Sequence, residues 1–143
     1  MVNKRIQALA PDLTLVAPRS ARAALGPYRA IAARAVDKCR AELAGRAGSY
    51  HYNCSLDRAF FEFTGIDAAE FKQFVGTGAS DEEIVGWIAE NSRVHNFRRV
   101  ALWGQWVRLN PLNLLLDFDD WLHVRRNRHL AQKPSPGTGG GSY

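Results

Sequence analysis

Two short blocks hold most of the residues that could do chemistry. Asp37-Lys38-Cys39-Arg40 is followed by Asn53-Cys54-Ser55-Leu56-Asp57, with Tyr50, His51 and Tyr52 between them. Arg19, Lys38 and Arg40 are candidate ligand-binding residues, because a cation can hold a carboxylate or phosphate and arginine does so through two parallel bonds. His51, Tyr52, Cys54 and Asp57 are candidate catalytic residues. The ring side chains can donate or shuttle protons, a cysteine at a helix start lies where thiolate is favoured, and Asp37 or Asp57 could orient a base. A plainer reading competes with this one. Asp37 and Asp57 would pair with the same cations and tie the N-terminal segment to the body, since structural ion-pair networks produce similar clusters.

Helices must position these blocks. Tyr28, Ile31, Ala32, Ala35, Val36, Cys39 and Leu43 recur at three- and four-residue steps, which predicts a helix over Tyr28 to Ala44 stopped by Gly45. Cys39 lies in that apolar stripe and reads as core. Asp37 points away from the stripe, and Arg40 and Glu42 border it. A second helix starts near Ser55, carries Leu56, Phe60, Phe61 and Phe63, and ends at Gly65. Asp67 with Glu70, and Ser80 with Glu83, have capping-box spacing. They open a short helix with Phe71, Phe74 and Val75, and another with Ile84, Trp87 and Ile88. Asn96 to Leu109 forms a fifth helix whose apolar face is widened by Trp103 and Trp106, which points to burial on two sides or a partner surface. Pro111 ends it. The last helix, Leu114 to Leu130, has Asp117, Asp119 and Asp120 early and Arg125, Arg126 and Arg128 late, matching the helix dipole.

The expected fold class is all-α: a compact bundle of five to six helices with an N-terminal extended wrap. Residues 1–11 read as an arm, 12–130 as one helical domain, and 131–143 as a disordered tail rich in Gly, Ser and Pro. The wrap carries Leu13, Leu15, Val16 and Leu25 among Pro18, Gly26 and Pro27.

Composition narrows the function classes. The 143 residues are 46% hydrophobic and 23% charged, with a formal charge of +5. This is ordinary for a soluble domain, and it permits anion binding without requiring it. No apolar run approaches the ~20 residues that span a bilayer, and no apolar stretch after Lys4 and Arg5 reads as a signal peptide. The two cysteines make no disulfide framework, so a reducing cytoplasm fits. His51, Cys54 and Asp57, or His123 with Asp119 and Asp120, lack the paired spacing of a zinc site, so the reading includes no metal and no cofactor. Phosphate-loop, dinucleotide and nucleophile-elbow motifs are absent. The basic end at His123, Arg125, Arg126, Arg128, His129 and Lys133 could meet phosphates with Trp121 as a stacking platform. The helix dipole explains those arginines equally, and Trp121 is expected to pack inward, so nucleic acid ranks third.

Asp12-Leu13-Thr14, Pro18-Arg19-Ser20, Asp37-Lys38-Cys39-Arg40-Ala41, Leu43-Ala44-Gly45, Cys54-Ser55-Leu56-Asp57 and Phe61-Glu62-Phe63-Thr64-Gly65-Ile66-Asp67 follow one another in order. This series resembles the bacterial domain of unknown function 5069 family over roughly residues 12–90. The resemblance implies a small, cytoplasmic, mainly helical domain and carries no reaction. Two functional readings follow from the residues. The first is a small-molecule-binding domain or small enzyme acting on an anionic metabolite, with its site where the wrap meets the second helix. The alternative is a non-catalytic protein-interaction or regulatory module, with a protein partner or self-association through Trp103 and Trp106.

Overall fold

The computed structural model describes residues 3–132, with side-chain surroundings given except at 112–115 and 127–132. The chain folds as helices α1 (Lys4–Leu9), α2 (Ala32–Leu43), α3 (Ser55–Thr64), α4 (Ala68–Val75), α5 (Asp81–Asn91), α6 (Phe97–Leu109) and α7 (Pro111–Gln132). Among the described residues there is no strand beyond an isolated bridge between Leu25 and Tyr28, so the fold is all-α, as the periodicities predict. No described helix is long and apolar enough to cross a membrane. The tail expected from Ala131 falls largely on residues 133–143, outside the described residues.

Local signals account for most of the helix ends. Asp67 accepts the N–H groups of Ala69 and Glu70 at the start of α4, and Asn96 accepts those of Arg98 and Arg99 at the start of α6. Ser80 and Glu83 close a reciprocal capping box on α5. Gly65 ends α3 in the left-handed conformation, φ 74°, which costs a residue without Cβ little.

The start of α2 differs from the periodicity. Tyr28 is not helical, because its backbone groups exchange hydrogen bonds with Leu25 around the Gly26-Pro27 turn. Ile31 then adopts φ 70°, ψ −43°, while Ala32 N–H bonds back to Ala30 C=O at 2.8 Å in a γ-turn. Positive φ at a β-branched residue costs on the order of 1–3 kcal/mol. Here it is held by complete burial of the Ile31 side chain and by its N–H bond to Ala21 C=O.

α2 is the axis of the molecule and packs against α1, α3 and α4. The core around it includes Val36, Phe60, Phe71, Val75, Ile84 and Ile88, all at most 1% exposed. Tyr28 meets Phe60 edge-on at 6.0 Å, and Phe61 meets Phe71 at 5.2 Å. The wrap lies over one side of α2, burying Leu13, Ala21 and Leu25. α1 occupies the segment read as an arm. It is too short for periodicity to reveal, and it is fixed by buried Ile6 and by Arg46, which donates to Gln7 C=O and Ala10 C=O.

Two sequence expectations need correction. The side of α2 carrying Asp37 does not face water: every residue from Ala32 to Ala41 is buried, because the wrap, α3, α5 and α7 surround the helix with complementary charges. Trp121 does not pack inward but is 53% exposed, since α7 turns a polar face to the body. Trp87 and Trp103 do pack on the core, Trp87 stacking on Phe74 and Trp103 on Phe63, whereas Trp106 stays exposed.

Phe60 sits where α3, α6 and the wrap meet. Phe60→Ala is expected to lower unfolding free energy in urea titration by about 3–5 kcal/mol. Exposed Leu102→Ala should change it by less than about 0.5 kcal/mol.

Candidate functional site

The chemistry-bearing residues of α2 point in different directions, and each meets its partner on a different element. Asp37 receives Arg19 from the wrap, with the Arg19 backbone N–H and Nε on Oδ2 at 2.8 and 3.1 Å and Nη2 on Oδ1 at 3.0 Å. The other guanidinium nitrogen of Arg19, Nη1, reaches Asp81 at the start of α5, 2.9 Å away. Arg40 also reaches Asp81 at 2.9 Å and donates to Ala79 C=O. Arg19, Asp37, Asp81 and Arg40 thus alternate in charge through one network. Burial opposes ionisation of Asp81, but the hydrogen bonds and charges of Arg19 and Arg40 outweigh it and hold the carboxyl below its usual range.

Lys38 leaves α2 toward α3. Its ammonium lies 2.9 Å from Asp57 Oδ2 and donates to Cys54 Sγ at 3.0 Å. Cys54, rather than Ser55, is the N-cap of α3, and its sulfur turns to Lys38 instead of capping the helix. Asp57 reaches back to accept the Asn53 N–H at 2.8 Å, with Asn53 in the left-handed region that asparagine tolerates. Asp57 is fully buried, and its Oδ1 has no hydrogen-bond partner among the described residues. Lys38, Cys54 and Asp57 therefore come together as one cluster.

The other candidates lie apart from it. His51 is exposed. Tyr52 donates its hydroxyl to Ala68 C=O at 2.7 Å while its ring packs on Phe61 and Phe71, and burial pushes its phenol well above the ordinary value. Arg19 and Arg40 belong to the Asp37–Asp81 network, and each already holds a carboxylate of the fold. Cys39 is fully buried, and burial pushes its thiol up to about 12.

The motif blocks match a family model described as Domain of unknown function (DUF5069) over residues 16–112, well over half of the chain. The chain belongs to this family. No match was found among curated proteins. The DUF5069 region contains both blocks and extends through α6, further than the quoted motifs reach, whereas nearly all of α7 lies beyond it.

α7 brings in residues that sequence reasoning passed over. Arg34, 5% exposed, donates from Nη1 and Nη2 to the two oxygens of Asp120 at 2.6 and 3.2 Å. Tyr50 donates its hydroxyl to Asp120 Oδ1 at 2.9 Å, and Ser20 donates to Asp117 Oδ1 at 2.6 Å. Burial, then the hydrogen bond and charge of Asp120, keep the Tyr50 phenol protonated far above its ordinary range. Arg34 lies on the side of α2 away from the apolar stripe, where a charged residue gives no sign of burial. Its partner lies 86 residues away and has no local mark.

Removing Lys38 leaves Asp57 buried without its cation. Lys38→Met is expected to cost about 3–5 kcal/mol in denaturant titration, and Lys38→Met/Asp57→Leu should recover most of it. Cys39, raised from 9.0 to about 12, holds its proton in the folded state where the unfolded chain loses it. Its contribution is therefore intact below about pH 9 and falls as pH rises toward about 12, with raised Tyr28, Tyr50 and Tyr52 acting in the same direction. Urea midpoints at about pH 8 and about pH 11 should show this loss, and Cys39→Ala should reduce it.

Proposed function

We propose that the chain is a non-catalytic protein-interaction module that receives an amphipathic, acid-bearing segment of a partner protein on α6. The observation that carries this reading is the outward stripe Leu102, Trp106 and Leu109, at 71%, 68% and 71% exposure. Single exposed apolar residues are common on protein surfaces. These three recur at the spacing of one helix face, and the central one is tryptophan, a residue type enriched at binding hot spots. The charges on the same helix select the partner. Arg98, Arg99 and Arg108 are its ionic residues, and α6 carries no Asp or Glu. Arg98 and Arg99 precede Leu102 by four and three positions, placing cations beside the stripe. A helix with acids flanking its own apolar face complements that surface in shape and charge.

A second reading, recognition of a small anionic molecule, is supported by the Lys38 ammonium beside Cys54, the α3 N-cap whose side chain leaves the helix N–H groups uncapped. It predicts that a thermal-shift screen of carboxylates and phosphate monoesters finds a stabilising compound whose effect Cys54→Ala removes.

The two readings separate in solution. The α6 module is expected to bind an acidic amphipathic helical peptide, read by Trp106 fluorescence, with affinity that falls as salt rises. Trp106→Ala should weaken binding by about 2 kcal/mol or more, roughly thirtyfold, without lowering thermal stability. Peptide binding that Trp106→Ala leaves unchanged would overturn the reading. So would a stripe found occupied by a second copy of the chain in light scattering and cross-linking.

A further inference from the structure

The described part of α7 meets the body through hydrogen bonds from polar side chains, while large apolar ones stay in water. Among its described side chains Asp120 is buried, whereas Phe118, Trp121 and Leu122 are exposed at 58%, 53% and 37%. Asp117, Asp120 and His123, three residues apart, face inward, with Leu116 and Val124 half-buried beside them. Asp117 is held by Ser20, Asp120 by Arg34 and Tyr50, and His123 Nε2 lies 3.2 Å from Leu13 C=O with its ring 4.8 Å from that of Tyr50. Water or a dissolved anion can offer Ser20, Arg34 and Tyr50 the same hydrogen bonds, so such contacts hold a helix less firmly than buried apolar area does.

The donors form a cradle. Arg34 presents two nitrogens side by side to the two oxygens of one carboxylate, Tyr50 adds a hydroxyl to one of those oxygens, and Ser20 stands ready one helical turn along α7. The Arg34 guanidinium also lies 5.6 Å from the centre of the Tyr50 ring, which fixes the fork. This geometry recognises carboxylate and phosphate alike. Every donor lies inside the family match at residues 16–112, and both acceptors lie beyond it. A cavity of about 550 Å³ opens beside the two carboxylates, lined by Ala17, Asp117, Asp120, Trp121, Val124 and Arg125. Arg125 supplies a second cation at its edge. One turn along α2, Lys38 neutralises Asp57, the nearby acid that would otherwise repel an anion.

We propose that Arg34, Tyr50 and Ser20 form a binding site for the oxyanion of a small molecule, a phosphate monoester or a carboxylate, and that Asp120 of α7 is its built-in occupant. The ligand and α7 compete for the same donors, so α7 sets the apparent affinity by the fraction of time it stands away from the cradle. The site needs no partner at α6. It takes the class of ligand considered for the Lys38–Cys54 cluster but holds it with different residues: a ligand seated at Cys54 responds to Cys54→Ala and not to Asp120→Ala.

The test uses the full chain, with inorganic phosphate and succinate titrated calorimetrically at constant ionic strength against chloride. Asp120→Ala is expected to bind one of these anions at least about tenfold more tightly than the unmodified chain, and Arg34→Met/Asp120→Ala to lose that gain. Preference for phosphate or for succinate identifies the headgroup. In the unmodified chain, the same anion should speed hydrogen exchange of the α7 amides at residues 116–126, while chloride leaves them unchanged. A folded Asp120→Ala that binds neither anion better than the unmodified chain overturns the proposal, as does a double variant that keeps the gain. If Asp120→Ala does not fold, the exchange measurement decides, and α7 amides indifferent to both anions overturn it.

Discussion

The structure depends on charge placed inside it. α2 carries Arg34, Asp37, Lys38 and Arg40 on its buried stretch Ala32 to Ala41, and each must be answered by an opposite charge from another element. Taking a charge out of water costs several kcal/mol unless the partner is close and its remaining hydrogen-bonding groups are met. The arrangement meets that condition unevenly. Asp37 is satisfied through several bonds from Arg19, whereas Asp57 Oδ1 and Arg40 Nε have no hydrogen-bond partner among the described residues. Pairs of this kind add little net stability over apolar packing, but they penalise any other arrangement of the helices around α2. They therefore specify how the wrap, α3, α5 and α7 are placed.

The same network bears on function. Cations that would be free to bind an anion are already engaged: Arg19 and Arg40 by acids of the family-matched region, Arg34 by an acid outside it. That difference separates pairs lying within the family match from a pair that α7 completes. With α2 enclosed, the large apolar side chains left in water lie mainly on α6 and α7, and surface recognition shifts to them.

Much of the fold was legible in local chemistry. The capping residues Asp67, Ser80 and Asn96 and the stop at Gly65 mark helix ends because they satisfy the backbone groups of their own turn. The start of α2 was not legible, since the Leu25–Tyr28 closure and the γ-turn at Ile31 are imposed by packing against the wrap. The candidate cluster was legible in part. Cys54 and Asp57 share a helix start, and Lys38 joins them only because α2 and α3 pack together. Arg34 lies opposite the apolar stripe, and only its pairing with Asp120 from α7 shows that this side of α2 is buried.

The sequence by itself determined the helical class, the later helices with the caps at Asp67 and Ser80, and the membership of Cys39 in the core, because periodicity and capping act within a few residues. The tertiary structure alone decided which acid answers which cation, which tryptophans face water, and that α7 docks by Asp117 and Asp120 rather than by Phe118 and Trp121. A charge on a helix carries no mark of its partner. Pairing follows from which surfaces meet, and that is settled by the simultaneous burial of residues far apart in the chain.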